Sequence, residues 1–217
     1  TFLLVNKAGK QRSKGKELNP RYFDETEWAM FRESDSANWE SHVRNGAVKV
    51  IAPEDTRGIS RDMILPIPSR FVRVMKETLA KSRWVVPGHT DPVRKEQNEL
   101  ANQPHHVRDP TMRTDAPVMP QVFLYMLLSL AVNCDWTVWT WDVKDAFLTG
   151  KLVDRQIYVR PPREGIKGVP EGSLIQILKG AFGLAESPRL WWLQLLSIIL
   201  ECTFKAISGF PASSVLY

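Results

Sequence analysis

Residues Trp136–Leu152 read W-T-V-W-T-W-D-V-K-D-A-F-L-T-G-K-L, and the fold turns on how that stretch is read. Its first half alternates. Val138, Thr140 and Asp142 fall on one side; Trp139, Trp141 and Val143 fall on the other. A period of two in β-branched and aromatic residues predicts a strand over 137–143, half buried by its tryptophans. Asp142 stands where the strand stops, ahead of an Ala-Phe-Leu turn and Thr149-Gly150. A carboxylate at the end of a buried strand is held rigidly enough to serve as a metal ligand. It could equally be the N-cap of a short helix, with Asp145 at the N3 position. The stretch alone leaves both readings open.

Downstream, Gln156–Arg160 reads as a short strand closed by Pro161-Pro162, and Ser173–Leu178 as another. The run L-K-G-A-F-G-L-A-E-S-P-R-L-W spans 178–191. In it Ser187 is a good N-cap and Pro188 a good first helical residue, for a helix continuing to about Cys202. Gly180 and Gly183 permit close backbone approach to a ligand, although no phosphate-loop signature is present. Upstream, Pro120 opens a helix to about Asn133 that is apolar nearly all round and so is expected to be buried. Residues 88–116 are polar and proline-rich, and Asp-Pro occurs at both 91–92 and 109–110, so 93–110 reads as an inserted loop. His105-His106 has no third ligand at usable spacing and is not read as a metal site.

Before that loop the pattern is extended. Ile64, Ile67, Phe71, Val72 and Val74 form one β segment interrupted by Pro66 and Pro68. Lys76-Glu77-Thr78 is the hairpin tip, and Lys81–Val86 is the return strand, stopped by Pro87-Gly88. Alternation puts Lys81, Arg83 and Val85 on one face and Ser82, Trp84 and Val86 on the other. Two cations in register can grip a phosphate chain, or can protect an edge strand. Residues 19–45 are helical in pattern, read as one helix near Phe23–Phe31 and a second from Ser36 to Asn45, stopped by Gly46. Val48–Ile51 is a short strand ended by Pro53, and residues 1–16 carry five basic residues and no acidic one.

A chain of 217 residues with 43% hydrophobic content can bury a substantial core. Lys plus Arg number 29 against 24 acidic residues, so the net charge of +5 permits a polyanionic partner without requiring one. The apolar runs 122–132 and 190–200 are too short and too interrupted to span a bilayer, and the opening residues show no signal-peptide pattern. Cys134 and Cys202 close apolar segments and read as buried thiols in a reducing compartment. A start on Thr1 and a stop on Tyr217 inside an apolar stretch suggest a fragment.

Taken together, five separated blocks resemble the reverse transcriptase domain of copia-type LTR retrotransposons. K-S-R-W-V-V-P-G at 81–88 is similar to the fingers strand, usually K-x-R-L-V-A-x-G. T-D-A-P-V at 114–118 resembles the segment ahead of the first palm helix. W-D-V-K-D-A-F-L-T-G-K-L at 141–152 resembles the first polymerase motif, and I-Y-V-R-P-P at 157–162 the strand after it. L-K-G-A-F-G-L-A-E-S-P-R-L-W resembles the second motif, usually L-x-x-x-L-Y-G-L-K-Q-x-P-R-x-W. The likeness covers roughly Trp39 to Tyr217. Its weight lies in the order of the blocks.

The resemblance implies an α+β, partial right-hand polymerase fold: a fingers hairpin plus a palm sheet with packed helices, truncated before the third catalytic motif. It divides the chain into a basic flexible linker (1–18), an N-terminal helical extension (19–62), and fingers with partial palm (63–217). It implies an RNA-directed DNA polymerase that adds a dNTP to a primer 3′-hydroxyl with two magnesium ions, manganese being a substitute, roughly 4 Å apart. Asp142 would be the catalytic carboxylate and metal ligand, and the Val143 carbonyl would complete the second ion's shell. Asp145 and Ala146 would offer backbone N–H groups to the triphosphate, and Phe147 would be the steric gate against a ribose 2′-hydroxyl. Lys81 and Arg83 would hold the triphosphate, with Gly183 under the nascent base pair. Partners would be an RNA or DNA template-primer, dNTP and the remainder of a Pol polyprotein, with no membrane. The expected location is cytoplasmic, in a virus-like particle, or nuclear.

One departure matters most. The aromatic-x-Asp-Asp motif that supplies the family's other carboxylates does not occur in these residues. The chain alone is therefore expected to be inactive, with a palm sheet lacking its centre, exposed Trp139 or Trp141, and marginal stability. Phe182 and Glu186 stand where Tyr and Gln are usual, and Glu186 adds negative charge near nucleic acid. Two further readings stay open: a non-catalytic nucleic-acid-binding remnant, and an unrelated α/β protein whose Asp142 only caps a helix.

Overall fold

Helix α1 (Glu25–Arg44) begins at a capping box: the Asp24 carboxylate accepts from Glu27 N–H at 2.8 Å and the Glu27 carboxylate accepts from Asp24 N–H at 3.3 Å. It ends at Gly46, whose φ of +59° suits glycine. The sequence pattern predicts two helices here, but the helix is continuous for 20 residues. No proline or glycine lies between Phe31 and Ser36, so nothing breaks the ladder. The computed structural model, which describes residues 17–101, 114 and 116–202, continues with β1 (Val48–Ile51), β2 (Arg70–Lys76) and β3 (Leu79–Val85). Then come α2 (Pro92–Ala101), α3 (Gln121–Asn133), β4 (Leu152–Val159), β5 (Leu174–Lys179) and α4 (Ser187–Glu201). The basic arm and His105-His106 lie outside the described residues.

The fold is α+β, with two small antiparallel sheets. One is the β2–β3 hairpin and the other has the order β1-β5-β4. In the hairpin Arg70 faces Val85 and Lys76 faces Leu79, with Glu77 at the tip in a left-handed conformation. Ala80, Ser82 and Trp84 are buried while Lys81 and Arg83 are exposed, as the alternation requires. The extended pattern begins near Ile64, yet β2 starts only at Arg70. Pro66 and Pro68 have no N–H to give a ladder. The intervening segment instead runs beside β4: Leu65 N–H donates to the Tyr158 carbonyl at 2.8 Å and Ser69 N–H to the Arg160 carbonyl at 2.9 Å. That stitch brings hairpin and sheet together over one core, formed by Trp39, Leu65, Phe71, Trp84, Ile157 and Ile175 with their neighbours.

Helix α1 lies along β3 and closes its open edge with side chains. Ser34 Oγ accepts from Ser82 N–H at 2.8 Å, and Asn38 Oδ1 accepts from Trp84 N–H at 2.7 Å. Four helical residues rise about 6 Å and two strand residues about 6.6 Å, so residues one turn apart on the helix meet alternate outward N–H groups of the strand. A second buried polar contact ties α1 to β2. Arg73, 1% exposed, pairs with Asp35 at 2.6 Å and Glu164 at 2.9 Å, with the Trp28 and Phe71 rings packed against its guanidinium.

Several expectations need correction. Residues 137–143 form no strand; they run irregularly, with Trp139 77% and Trp141 87% exposed. The alternation is a strand sequence, but a strand needs a ladder partner, and among the described residues no strand pairs with it. The exposed tryptophans are the consequence. Helix α3 forms where expected but buries only Ala131. Its apolar residues and those of 136–143 are exposed, as large apolar patches at interaction sites are. Cys134 and Cys202 are exposed free thiols at the ends of α3 and α4, not buried ones. Residues 93–101, read within an inserted loop, belong to helix α2. The Gln156–Arg160 strand begins earlier, at Leu152, with an irregular register before Ile157.

His42 is fully buried between Trp39 and Trp84. Its Nδ1 donates to the Asn38 carbonyl at 2.8 Å, and its buried Nε2 has no hydrogen-bond partner. Burial pushes its pKa below the ordinary value of 6.5, outweighing the Asn38 carbonyl and the nearby Asp145 charge, which act the other way. The folded protein thus holds neutral His42 while the unfolded chain takes up a proton below pH 6.5. Stability is full above that value and falls as pH drops through it, by up to about 1.4 kcal/mol per pH unit. Thermal melts from pH 7.5 to 5.5 should show this slope, and His42→Phe should flatten it. Trp139→Ser and Trp141→Ser should each change unfolding free energy by no more than about 0.5 kcal/mol, since neither ring is buried. Binding of a hydrophobic dye should fall in both variants.

Candidate active site

The turn after Asp142 is built from local rules. Asp145 takes a left-handed conformation (φ 54°, ψ 35°) and leads into a 3-10 turn over Ala146–Thr149. Leu148 N–H donates to the Asp145 carbonyl at 2.8 Å, Thr149 Oγ1 donates to the Ala146 carbonyl at 2.9 Å, and Leu148 is buried. Helix α4 packs on the turn, and its Leu190 carbonyl accepts from Lys151 N–H at 3.2 Å. Asp142 caps nothing. Asp145, which immediately precedes the turn, makes no cap bond either; its carboxylate accepts from Ser41 Oγ at 2.6 Å. The helix-capping reading of Asp142 is thereby set aside.

The second glycine-bearing turn docks against the end of β3. Val86 N–H donates to the Phe182 carbonyl at 2.8 Å, and Val85 forms a lone parallel bridge with Phe182. Gly183 has φ +90°, and a Cβ there would fall 2.1 Å from the Val86 carbonyl oxygen. Backbone packing against β3 therefore demands glycine at this position whatever lies above it. Ser187 does not cap α4, contrary to expectation. Its Oγ accepts from Ala181 N–H at 2.9 Å and donates to the Ala181 carbonyl at 2.8 Å, closing the same turn.

Three side chains meet here. The Arg83 guanidinium lies 5.4 Å from the centre of the Phe182 ring, and Phe182 meets Phe147 edge to face at 5.3 Å. The hairpin, the 180–186 turn and the 145–149 turn thus share one corner of the molecule. Behind it, Arg155 on β4 pairs with Asp91 and, at 2.6 Å, with Glu186. Burial alone would lower the Arg155 pKa, but the two carboxylates outweigh it and raise the value. The negative charge of Glu186, unfavourable near a polyanion, is matched inside the protein. Sequence reasoning missed Arg155, Asp91 and Ser41. Only Ser41 left a signal, as one of the small polar residues Ser34, Asn38, Ser41 and Asn45 at helical spacing.

Of the residues singled out from sequence, Arg83, Phe147 and Gly183 are brought together through Phe182. Asp145 and Ala146 adjoin Phe147, and Lys81 shares the exposed face of β3 with Arg83. Asp142 and Val143 lie apart from this packing, exposed and outside any element. Among the described residues no three His, Cys, Asp or Glu side chains converge as metal ligands. With Asp145 engaged by Ser41 and Asp142 alone, the described residues do not fit a two-metal centre.

With the geometry in place, the class is clear from comparison. A profile of the reverse transcriptase (RNA-dependent DNA polymerase) family matches residues 59–212, and the chain belongs to that family. It is 31% identical over 91 residues to the retrovirus-related Pol polyprotein from transposon RE2 of Arabidopsis thaliana, covering 42% of this chain and 6% of that protein. It is 30% identical over 91 residues to the RE1 polyprotein of the same plant, and 32% identical over 90 residues to that of transposon TNT 1-94 of Nicotiana tabacum. These are Pol polyproteins of copia-type retrotransposons, and the matched stretch spans only 6–7% of their length. No solved structure matches.

The packing makes Gly183→Ala a stringent test of the corner. It should cost about 3 kcal/mol or more, because the Cβ must both overpack and hold a positive φ. Urea unfolding of the variant beside the unaltered chain measures this.

Proposed function

We propose that the chain is the nucleotide-facing part of a retrotransposon RNA-directed DNA polymerase, supplying the fingers hairpin and the first half of the palm. The observation that carries this reading is the meeting of Arg83, Phe182, Phe147 and Gly183. Four residues from three sequence blocks, far apart in the chain, converge at one corner. Lys81 and Arg83 present two cations on the outer face of β3, where each could make a charge-assisted bond to a triphosphate. Phe147, steadied by the Phe182 edge, is the ring that would exclude a ribose 2′-hydroxyl, which is selection by repulsion. Asp145 and Ala146 carry backbone N–H groups just ahead of that ring, where they could meet a triphosphate, and Gly183 would lie under the nascent base pair.

Asp142 is the residue assigned to the chemistry, with the Val143 carbonyl beside it. Family members generally rely on divalent ions. Bound there, such ions would lower the charge barrier to phosphoryl transfer, but one carboxylate does not compose their site. The palm is completed when segment 136–143 gains a strand partner bearing an aromatic-x-Asp-Asp tip. Template-primer, dNTP and the rest of the polyprotein are the partners of that complete domain. A second reading, a nucleic-acid-binding remnant without catalysis, is favoured by the exposure and isolation of Asp142.

Primer extension on poly(rA)–oligo(dT) with magnesium separates these readings. Two chains are compared: this one, and one lengthened through its downstream reading frame. Only the longer chain should extend the primer, and Asp142→Asn should abolish that extension. Activity that survives Asp142→Asn would sink the assignment. Retained binding of template-primer with no extension by either chain would support the remnant.

A further inference from the structure

We infer that helix α1, which lies outside the matched residues 59–212, is the positioning element of the Asp145–Phe147 turn, and that Ser41 is the side chain through which it acts. The link joins residues 104 apart in sequence at 2.6 Å, between a buried serine and a half-buried aspartate. The hydroxyl is oriented for this purpose. Asn45 Nδ2 donates to Ser41 Oγ at 3.3 Å and to the Ser41 carbonyl at 2.8 Å, which leaves the hydroxyl proton to point at the Asp145 carboxylate. Bonds to a charged acceptor are the stronger kind.

The conformation of Asp145 explains why the bond matters. A non-glycine residue in the left-handed region is strained, and Asp145 makes no side-chain cap on the turn it opens. The Ser41 contact is the side-chain bond that holds it there. From that residue the chain swings into Ala146 and Phe147, so the angle of Asp145 sets where the Phe147 ring lies against Phe182. The same helix registers the other parts of the corner. Ser34 and Asn38 hold β3, which carries Lys81 and Arg83. The Asn45 carbonyl accepts from Lys179 Nζ at 2.9 Å, and the Ala47 carbonyl accepts from the N–H groups of Leu178 and Lys179, just ahead of the Gly180–Gly183 turn. Helix α1 and the turn that ends it are thus a common reference for the three pieces that meet at the corner.

The structural claim stands on these contacts. Its consequence for nucleotide rests on the polymerase reading, and the test keeps the two apart. In hydrogen exchange of the full chain, the amides of Leu148 and Gly150 should exchange about tenfold faster in Ser41→Ala, the expected effect of losing one charge-assisted bond. Exchange at Ile157 and Ile177 in the sheet should not change. Ser41→Thr, which keeps the hydroxyl, should restore slow exchange. Asp145→Gly removes the same bond from its other end, so Ser41→Ala should add nothing in that background; this arm also serves if Ser41→Ala alone folds poorly. Unaltered exchange in the turn, equal acceleration throughout the sheet, or failure of threonine to restore it would each overturn the inference. Calorimetry with dTTP on poly(rA)–oligo(dT) forms the second arm, and Ser41→Ala should weaken binding several-fold. If the unaltered chain binds no dTTP while the exchange result holds, the positioning role stands and the nucleotide reading falls.

Discussion

The contact on which most of this structure depends is polar: one helix face of Ser34, Asn38, Ser41 and Asn45 set against a strand edge and a turn. Each buried N–H left without a partner would cost about 1–3 kcal/mol, so the edge of β3 could not be covered by an apolar helix face alone. Helix α1 meets that demand at Ser82 and Trp84, then places Trp39 beside Trp84 edge to face. Polar matching and aromatic packing alternate along one interface. The helix cannot slide by one residue without losing both at once, which fixes its register as firmly as a third strand would.

Two guanidiniums extend the same logic to the rest of the molecule. Arg73 joins α1, β2 and the loop at Glu164; Arg155 joins β4, the turn at Asp91 and the start of α4 at Glu186. Burying a charge is costly unless it is paired and hydrogen-bonded, and each arginine meets two carboxylates. The raised pKa of both shows the carboxylates prevailing over desolvation. Such pairs contribute less to net stability than to specificity, since removing one partner strands the other. Here they pin segments that regular secondary structure leaves loose: the loop after Pro162 and the turn before α4. The second pin ties the end of the turn that carries Phe182 to β4 and to the turn at Asp91.

How much of this was legible depended on the range of the forces involved. Local signals read well: the Glu77 hairpin, the in-and-out alternation of Lys81–Val86, the strand Val48–Ile51, and the helix opened by Pro120 all formed. Gly183 was recognised as special, although the packing that demands it involves Val86, almost a hundred residues away. What failed was inference across distance. Val138 to Val143 has the composition of a strand, but composition cannot supply a partner. Helix α3 has the composition of a buried helix, but nothing in its own residues says what would cover it. Ser187 has the look of a cap, yet a nearer carbonyl and amide on Ala181 claimed its hydroxyl. Ser41 and Arg155 escaped notice because a single serine or arginine becomes informative only when the fold brings its partner near.

The same division of range runs through the candidate site itself. Phe147, Phe182, Gly183 and Arg83 are set by short turns, a hairpin and one helix, and they are in place. Asp142 would be set by a strand with no neighbouring hairpin partner, and among the described residues no strand pairs with it, so local contacts alone cannot form it. Its carboxylate consequently points from irregular chain beside two exposed tryptophans, while the residues three and five positions later are already packed. Pairing of 136–143 would bury Trp139 and Trp141 and draw Asp142 toward the corner in one step, because side chains in a ladder move as a set. Apolar burial and the placing of the carboxylate are therefore one event. In the proposed polymerase reading, the residues that would hold a nucleotide are packed in place while the carboxylate that would hold its metal is not.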